Sequence, residues 1–176
     1  KLLISASGPY DSIDFYKAIR IANPKGVKKG VKYDAYDDSS FDELVRDNIN
    51  LEKLAEISSE RELIFKEWLN GYKLSYSTFH RLKELTSSLP LEQATLKMFL
   101  ELLANHLDTL IIRKAGLEEA ELVKKKAKEV LSGKLDLKEF DKILREKKDL
   151  RNPGSLADIM AISLSLLILD GYKLNL

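Results

Sequence analysis

Apolar side chains recur along this chain at three- and four-residue intervals, the spacing that lines one face of a helix. From Asp11 to Asn23 the residues Ile13, Tyr16, Ile19 and Arg20 follow that spacing behind a capping Asp11, and Pro24 ends the run. Lys25 to Asp38 keeps no period and reads as a loop of functional length, or as a short hairpin around Val31 and Tyr33. Ser39 or Ser40 caps a short helix from Phe41 to Arg46. A long helix is predicted from Asn50 to Asn70, with Leu51, Leu54, Ile57, Ser58, Arg61, Ile64, Phe65 and Trp68 as its stripe and Gly71 as its stop. Further helices are predicted over Ser75–Thr86, Pro90–Lys114 and Glu118–Leu131, with another behind Asp136 that holds Phe140, Ile143 and Leu144. The last is almost wholly apolar and runs from Ser155 to Asp170. No β-rich run or internal repeat stands out, so the expected architecture is all-α, a compact array of about seven to eight helices in one domain over residues 1–176.

Composition narrows the chemistry. The 29 basic and 28 acidic residues leave a formal net charge of +1, which gives no field to steer nucleic acid or an anionic membrane. With no Cys there is no disulfide, thiolate or Cys-zinc chemistry. His80 and His106 are the only histidines, too few for a His-rich metal site, and His106 reads as a packing or capping residue. The final apolar helix is too short to span a bilayer. No secretory signal precedes Ser5-Ala6-Ser7-Gly8, so a cytoplasmic protein is expected. The chain begins with Lys rather than Met, as a cut or processed form of something longer would.

Two stretches carry candidate chemistry. Leu150-Arg151-Asn152-Pro153-Gly154-Ser155-Leu156-Ala157-Asp158 packs a turn, a helix start of the S-x-x-D kind and a carboxylate into nine positions. A buried helix that starts behind Pro-Gly-Ser offers backbone N–H groups to a phosphate, although a plain core helix would be capped in the same way. In the second stretch, Asp108 to Gly116, Asp108 is followed little more than a turn later by Arg113 and Lys114. A carboxylate and two cations so spaced could hold a metal–triphosphate, and an ordinary helix C-terminus would favour the same cations. Lys25, Lys28, Lys29 and Lys32 form a further, weaker anion-binding signal. Lys124-Lys125-Lys126 reads as a solvated helix face and Trp68 with Phe65 as core, while Ser58-Ser59-Glu60-Arg61 is either a polar pocket wall or a solvent-facing side.

Asp108-Thr109-Leu110-Ile111-Ile112-Arg113-Lys114-Ala115-Gly116, then a charged helix, then Asn152-Pro153-Gly154-Ser155-Leu156-Ala157-Asp158 resemble the C-terminal half of the triphosphoribosyl-dephospho-CoA synthase family. Asp14-Phe15-Tyr16-Lys17-Ala18-Ile19-Arg20-Ile21-Ala22-Asn23-Pro24 and Ser59-Glu60-Arg61-Glu62-Leu63-Ile64, with Trp68 and Gly71, are similar to its archaeal members. The resemblance implies an all-helical transferase in which a ribose hydroxyl of dephospho-CoA attacks C1′ of the ATP ribose and displaces adenine. It implies Asp108 and Asp158 in base or metal roles, with Asp108 the ligand of an ATP-borne Mg²⁺. It also implies phosphate contacts from Arg113, Lys114, Gly154 and Ser155. Family members are longer, and their N-terminal half carries a Pro-Gly-containing motif and a Thr-His-x-Gly-type motif that do not occur in the first half of this chain. The alternative expectation is therefore a non-catalytic helical module, or an inactive truncated form, that associates with itself or with the absent N-terminal segment.

Overall fold

The computed structural model describes residues 2–24 and 30–173. Three of the four lysines of the weak anion signal, Lys25, Lys28 and Lys29, lie outside the described residues. Those described are all-helical, without strands, and hold eleven α-helices: α1 (Leu2–Ser5), α2 (Pro9–Ala22), α3 (Ser39–Arg46), α4 (Leu51–Ser58), α5 (Leu63–Asn70), α6 (Lys73–Thr86), α7 (Leu91–Asn105), α8 (Thr109–Ala115), α9 (Leu117–Leu131), α10 (Leu137–Arg145) and α11 (Gly154–Leu169). A 3-10 turn, Lys148–Arg151, precedes α11. Among these residues no helix is long and apolar enough to cross a membrane.

The expected seven to eight helices are an undercount with three sources. One is the short helix α1, which has no buried residue to mark it. The second is the polar run inside the expected Asn50–Asn70 helix. There Ser59 Oγ donates to Glu56 O at 2.9 Å, and the N–H groups of Arg61 and Glu62 both donate to Ser58 O at 3.0 Å. Hydroxyls that bond nearby carbonyls compete with the helical ladder, and the helix ends and restarts behind an extended Glu62. The third source is His106 to Asp108. His106 is extended and forms the C-cap of α7, and Asp108 is extended and caps α8 with its own carboxylate. Apolar periodicity runs through both breaks, so it does not reveal them.

The chain divides into two compact units, Lys1–Gly71 and Tyr72–Leu176. In the first, Ile13, Tyr16, Tyr33, Ala35, Leu44, Ile49 and Leu54 form the core, with Phe15, Ile19, Tyr36 and Phe41 packed on it. The described part of the loop before α3 is a turn-rich segment rather than a hairpin. It is held by α2, where Tyr16 Oη donates to Tyr33 O and Arg20 Nε to Ala35 O, both at 2.5 Å. Buried Asp34 accepts from the N–H groups of Gly30 and Tyr36, and Tyr33 adopts a left-handed φ of 53°. Phe15, Phe65 and Trp68 meet edge to face, each half-buried.

In the second unit α6 packs on α11 and α7 on α9, and α8 lies against both α9 and α11. Helix α11 is buried along Leu156, Ile159, Met160, Ser163 and Leu167. Ser163 Oγ sits 2.9 Å from Ser75 O and 2.8 Å from Ile159 O, so its hydroxyl stays satisfied against α6. Arg151, only 5% exposed, anchors the turn that leads into α11. Its guanidinium donates to Glu119 at 2.6 Å, to Ile143 O at 2.6 Å and to Glu146 at 3.0 Å, and Lys147 also bonds Glu119.

Lys147 and Arg151 hold the Glu119 carboxyl below its ordinary range. A depressed folded-state value contributes stability that is present above the unfolded value of about 4.3 and is lost as pH falls through the lower folded value. Glu119→Gln should therefore flatten the acid limb of a melting-temperature profile between about pH 6 and about pH 3. An acid limb as steep as that of the wild type would show that other carboxylates carry it.

Candidate functional site

The helix starts of α8 and α11 face one another, and the sequence explains both. Asp108 is an N-cap by type and by its extended backbone, and its Oδ1 accepts from the N–H groups of Leu110 at 2.8 Å and Ile111 at 3.0 Å. Its second oxygen, Oδ2, accepts from the N–H of Leu156 in the first turn of α11 at 2.8 Å. One carboxylate thus caps two helices. Ser155 of α11 returns the contact, since its Oγ accepts from Leu110 N–H at 3.1 Å and shares a 2.8 Å hydrogen bond with Thr109 Oγ1.

Asp108 is 2% exposed. Burial pushes its carboxyl above the ordinary range, against the pull of the backbone N–H groups that favour the charged form. The first turn of α11 does hold an anion, as its Pro-Gly-Ser start suggests, and that anion is Asp108 of the same chain. Its other N–H groups are engaged as well, Gly154 N with Asn152 O at 2.9 Å and Ala157 N with Pro153 O at 3.0 Å. In this arrangement the phosphate cradle expected at Gly154 and Ser155 is already filled.

Gly154 has a steric reason to be glycine. A Cβ built on it would lie 2.5 Å from Leu110 Cδ2. The obstruction is the end of a side chain that can turn, so Gly154→Ala should cost only about 1–2 kcal/mol, overpacking outweighing better helix propensity. In a Leu110→Ala background the same change should become neutral or stabilising. A double-mutant cycle by denaturant unfolding measures this coupling, and additivity would show that the close approach is not what excludes a side chain.

The other expected site residues fall on the two helices that meet here. Arg113 and Lys114 are half-buried in the last turn of α8, and burial lowers the Arg113 pKa. Asp158 lies in α11, three residues beyond Ser155 and on the exposed side. It has no hydrogen-bond or ion-pair partner among the described residues, and partial burial pushes its carboxyl up. The two carboxylates that the sequence treats alike therefore differ: Asp108 is buried and engaged, Asp158 open and unpaired. Thr109, which bonds Ser155 at the start of α11, and Arg151, which ties the turn before α11 to Glu119, Ile143 and Glu146, carry signals visible only once their distant partners are known. Glu67 on α5 is only 1% exposed, where the sequence pattern places Trp68.

The family model of CitG, ATP:dephospho-CoA triphosphoribosyl transferase, matches residues 1–175. The chain belongs to this triphosphoribosyl transferase family. It is similar to the crystal structure of an Archaeoglobus fulgidus protein provisionally described as a triphosphoribosyl-dephospho-CoA synthase, at 25% identity and a TM-score of 0.74, over 97% of this chain and 70% of that one. None of the curated proteins compared with the chain matches it. In this member of the transferase family, the Asp-Thr and Asn-Pro-Gly-Ser motifs build one junction between α8 and α11.

Mg²⁺ goes with a triphosphate substrate, and the transferase's donors can be tested for it. Mg²⁺ takes oxygen ligands and usually enters on one or two carboxylates plus substrate phosphates. Both oxygens of Asp108 are engaged by backbone N–H groups, and among the described residues no three His, Cys, Asp or Glu side chains group as a metal site. The metal role expected for Asp108 does not fit this arrangement.

Proposed function

We propose that this transferase carries out the reaction of its family on ATP and dephospho-CoA, with Asp158 as the base. A ribose hydroxyl of dephospho-CoA loses its proton to the Asp158 carboxylate and forms a bond to C1′ of the ATP ribose. The C1′–N9 bond breaks with its electron pair, and adenine leaves and takes up a proton. The triphosphate stays on the transferred ribose. Carbon C1′ turns positive in such a displacement, so a nearby carboxylate and a positioned base both favour it. Arg113 and Lys114 supply the cationic end of α8 for phosphate oxygens.

The observation that carries this reading is the state of Asp158. It is the carboxylate of the two motifs that is exposed and without a hydrogen-bond or ion-pair partner among the described residues, and partial burial raises its pKa from the ordinary value, which suits a group that must accept a proton. The test is adenine release from ATP on adding dephospho-CoA, followed by chromatography, beside a thermal-shift titration with ATP with and without Mg²⁺. Adenine appearing in step with acceptor, with a saturable rise in melting temperature, is the expected result. A thermal shift without adenine would leave a nucleotide-binding module in place of the transferase, and the absence of both signals would likewise overturn the reading.

A further inference from the structure

The contacts between α8 and α11 are more numerous than capping requires. Asp108 alone satisfies the start of α8 through Leu110 and Ile111. Three further contacts cross between the helices, Leu156 N–H to Asp108, Leu110 N–H to Ser155, and the Thr109–Ser155 hydroxyl pair. Asp108 and Ser155 are 2% and 7% exposed, so water offers them little as a substitute partner. The missing Cβ of Gly154 lets Leu110 close against the same turn. Two helix starts far apart in sequence are thereby held in one register.

What each helix carries beyond this junction gives the register a purpose. Asp158 follows Ser155 by three residues, about 4.5 Å along α11, and Arg113 follows Thr109 by four, about 6 Å along α8. Both are roughly one turn from the Thr109–Ser155 contact, on rigid elements. We propose that Asp108, Thr109 and Ser155 are positioning residues, which fix Asp158 on α11 relative to Arg113 and Lys114 on α8 so that base and phosphate contacts engage one substrate together. The inference rests on the transferase reading given above. It assigns these three residues no contact with substrate.

The experiment compares Ser155→Ala and Thr109→Val, which remove a hydroxyl from the junction, with Thr109→Ser, which keeps it. All are assayed in the full chain, well below their melting temperatures, for kcat and for the KM of ATP. Displacing a reacting group by about an ångström costs on the order of a hundredfold in rate. Ser155→Ala is accordingly expected to lower kcat by about tenfold or more while the KM of ATP moves by less than about threefold. Thr109→Val should follow it in direction, and Thr109→Ser should keep most of the wild-type kcat.

A folded Ser155→Ala protein with wild-type kcat overturns the positioning role and leaves the transferase reading intact. Equal losses in Thr109→Ser and Thr109→Val also overturn it, because the hydroxyl would then not be the operative group. If Ser155→Ala does not fold, the comparison of the two Thr109 variants decides by itself. A wild-type chain that releases no adenine overturns the transferase reading, and the positioning role with it.

Discussion

Asp108→Ala is expected to lower the stability of the second unit by about 2–4 kcal/mol, since two helix N-caps worth roughly 1–2 kcal/mol each disappear together. The N–H groups of Leu110, Ile111 and Leu156 lose their acceptor in a place where Asp108 itself is 2% exposed. Unpaired buried donors carry their full desolvation penalty, and that is the larger part of the loss. Burial acts in the opposite direction, because it raises the Asp108 pKa and so makes the ionised carboxylate less favourable in the folded chain than in the unfolded one. A raised folded value favours folding below the unfolded value of about 3.9 and loses that contribution as pH rises through the folded value. At neutral pH the buried charge therefore offsets part of what the caps contribute, and for this reason the estimate stays in the lower single digits.

Asp108→Asn should fall between alanine and wild type. A carboxamide has one acceptor oxygen, so satisfying the start of one helix turns its NH₂ toward the N–H groups of the other. Thermal melts check both variants, with an expected fall for alanine of about 5–15 °C in a chain of this size. A melting temperature within about 2 °C of wild type would mean that water or a shifted backbone supplies the lost acceptor.

The helical class and most core stripes were legible because burial repeats with the helical period. Ile13 and Tyr16 on α2, Phe79, Leu82 and Leu85 on α6, and Ala127 on α9 are buried where the spacing puts them. The breaks at Ser59–Glu62 and His106–Asp108 were not, because a Ser59 hydroxyl bond to Glu56 O accompanies the first and the Asp108 carboxylate starts a new helix after the second, and apolar spacing registers neither. The first break has a consequence further along. It resets the helical phase, so α5 buries Glu67 and leaves Trp68 half-exposed in its aromatic cluster.

At the candidate site the pieces were legible and their pairing was not. Ser155 reads as a local helix-start signal and Asp108 as a carboxylate within one longer Pro90–Lys114 helix, and nothing local says that each serves the other's helix. The Pro-Gly-Ser entry of α11 suggests backbone N–H groups open to a phosphate, or a plain capped core helix. That the N–H of Leu156 meets a carboxylate of the same chain depends on a contact spanning 48 residues. Telling Asp108 from Asp158 likewise needed burial and bonding partners, which their similar motif settings do not give.

Asp158→Asn is expected to reduce adenine release by a factor of about 10²–10⁴, the usual contribution of a general base, while stability changes by less than about 0.5 kcal/mol. The asymmetry follows from the environment of Asp158. The side chain has no bonding partner among the described residues to lose, and the replacement keeps its size. Removing a charge that partial burial disfavours cannot weaken the fold by much. The loss should appear in kcat and kcat/KM together with little change in the KM of ATP, because a base acts on the acceptor hydroxyl rather than on the triphosphate. In the wild type, kcat/KM should rise with pH as Asp158 ionises, at a pKa raised from the ordinary carboxylate value, since only the ionised form accepts the proton and partial burial disfavours it. The asparagine variant should lack that rise. An active variant that keeps it would move the base to another residue. A variant that unfolds would make Asp158 a structural carboxylate like Asp108, and the division of labour between the two aspartates would fall.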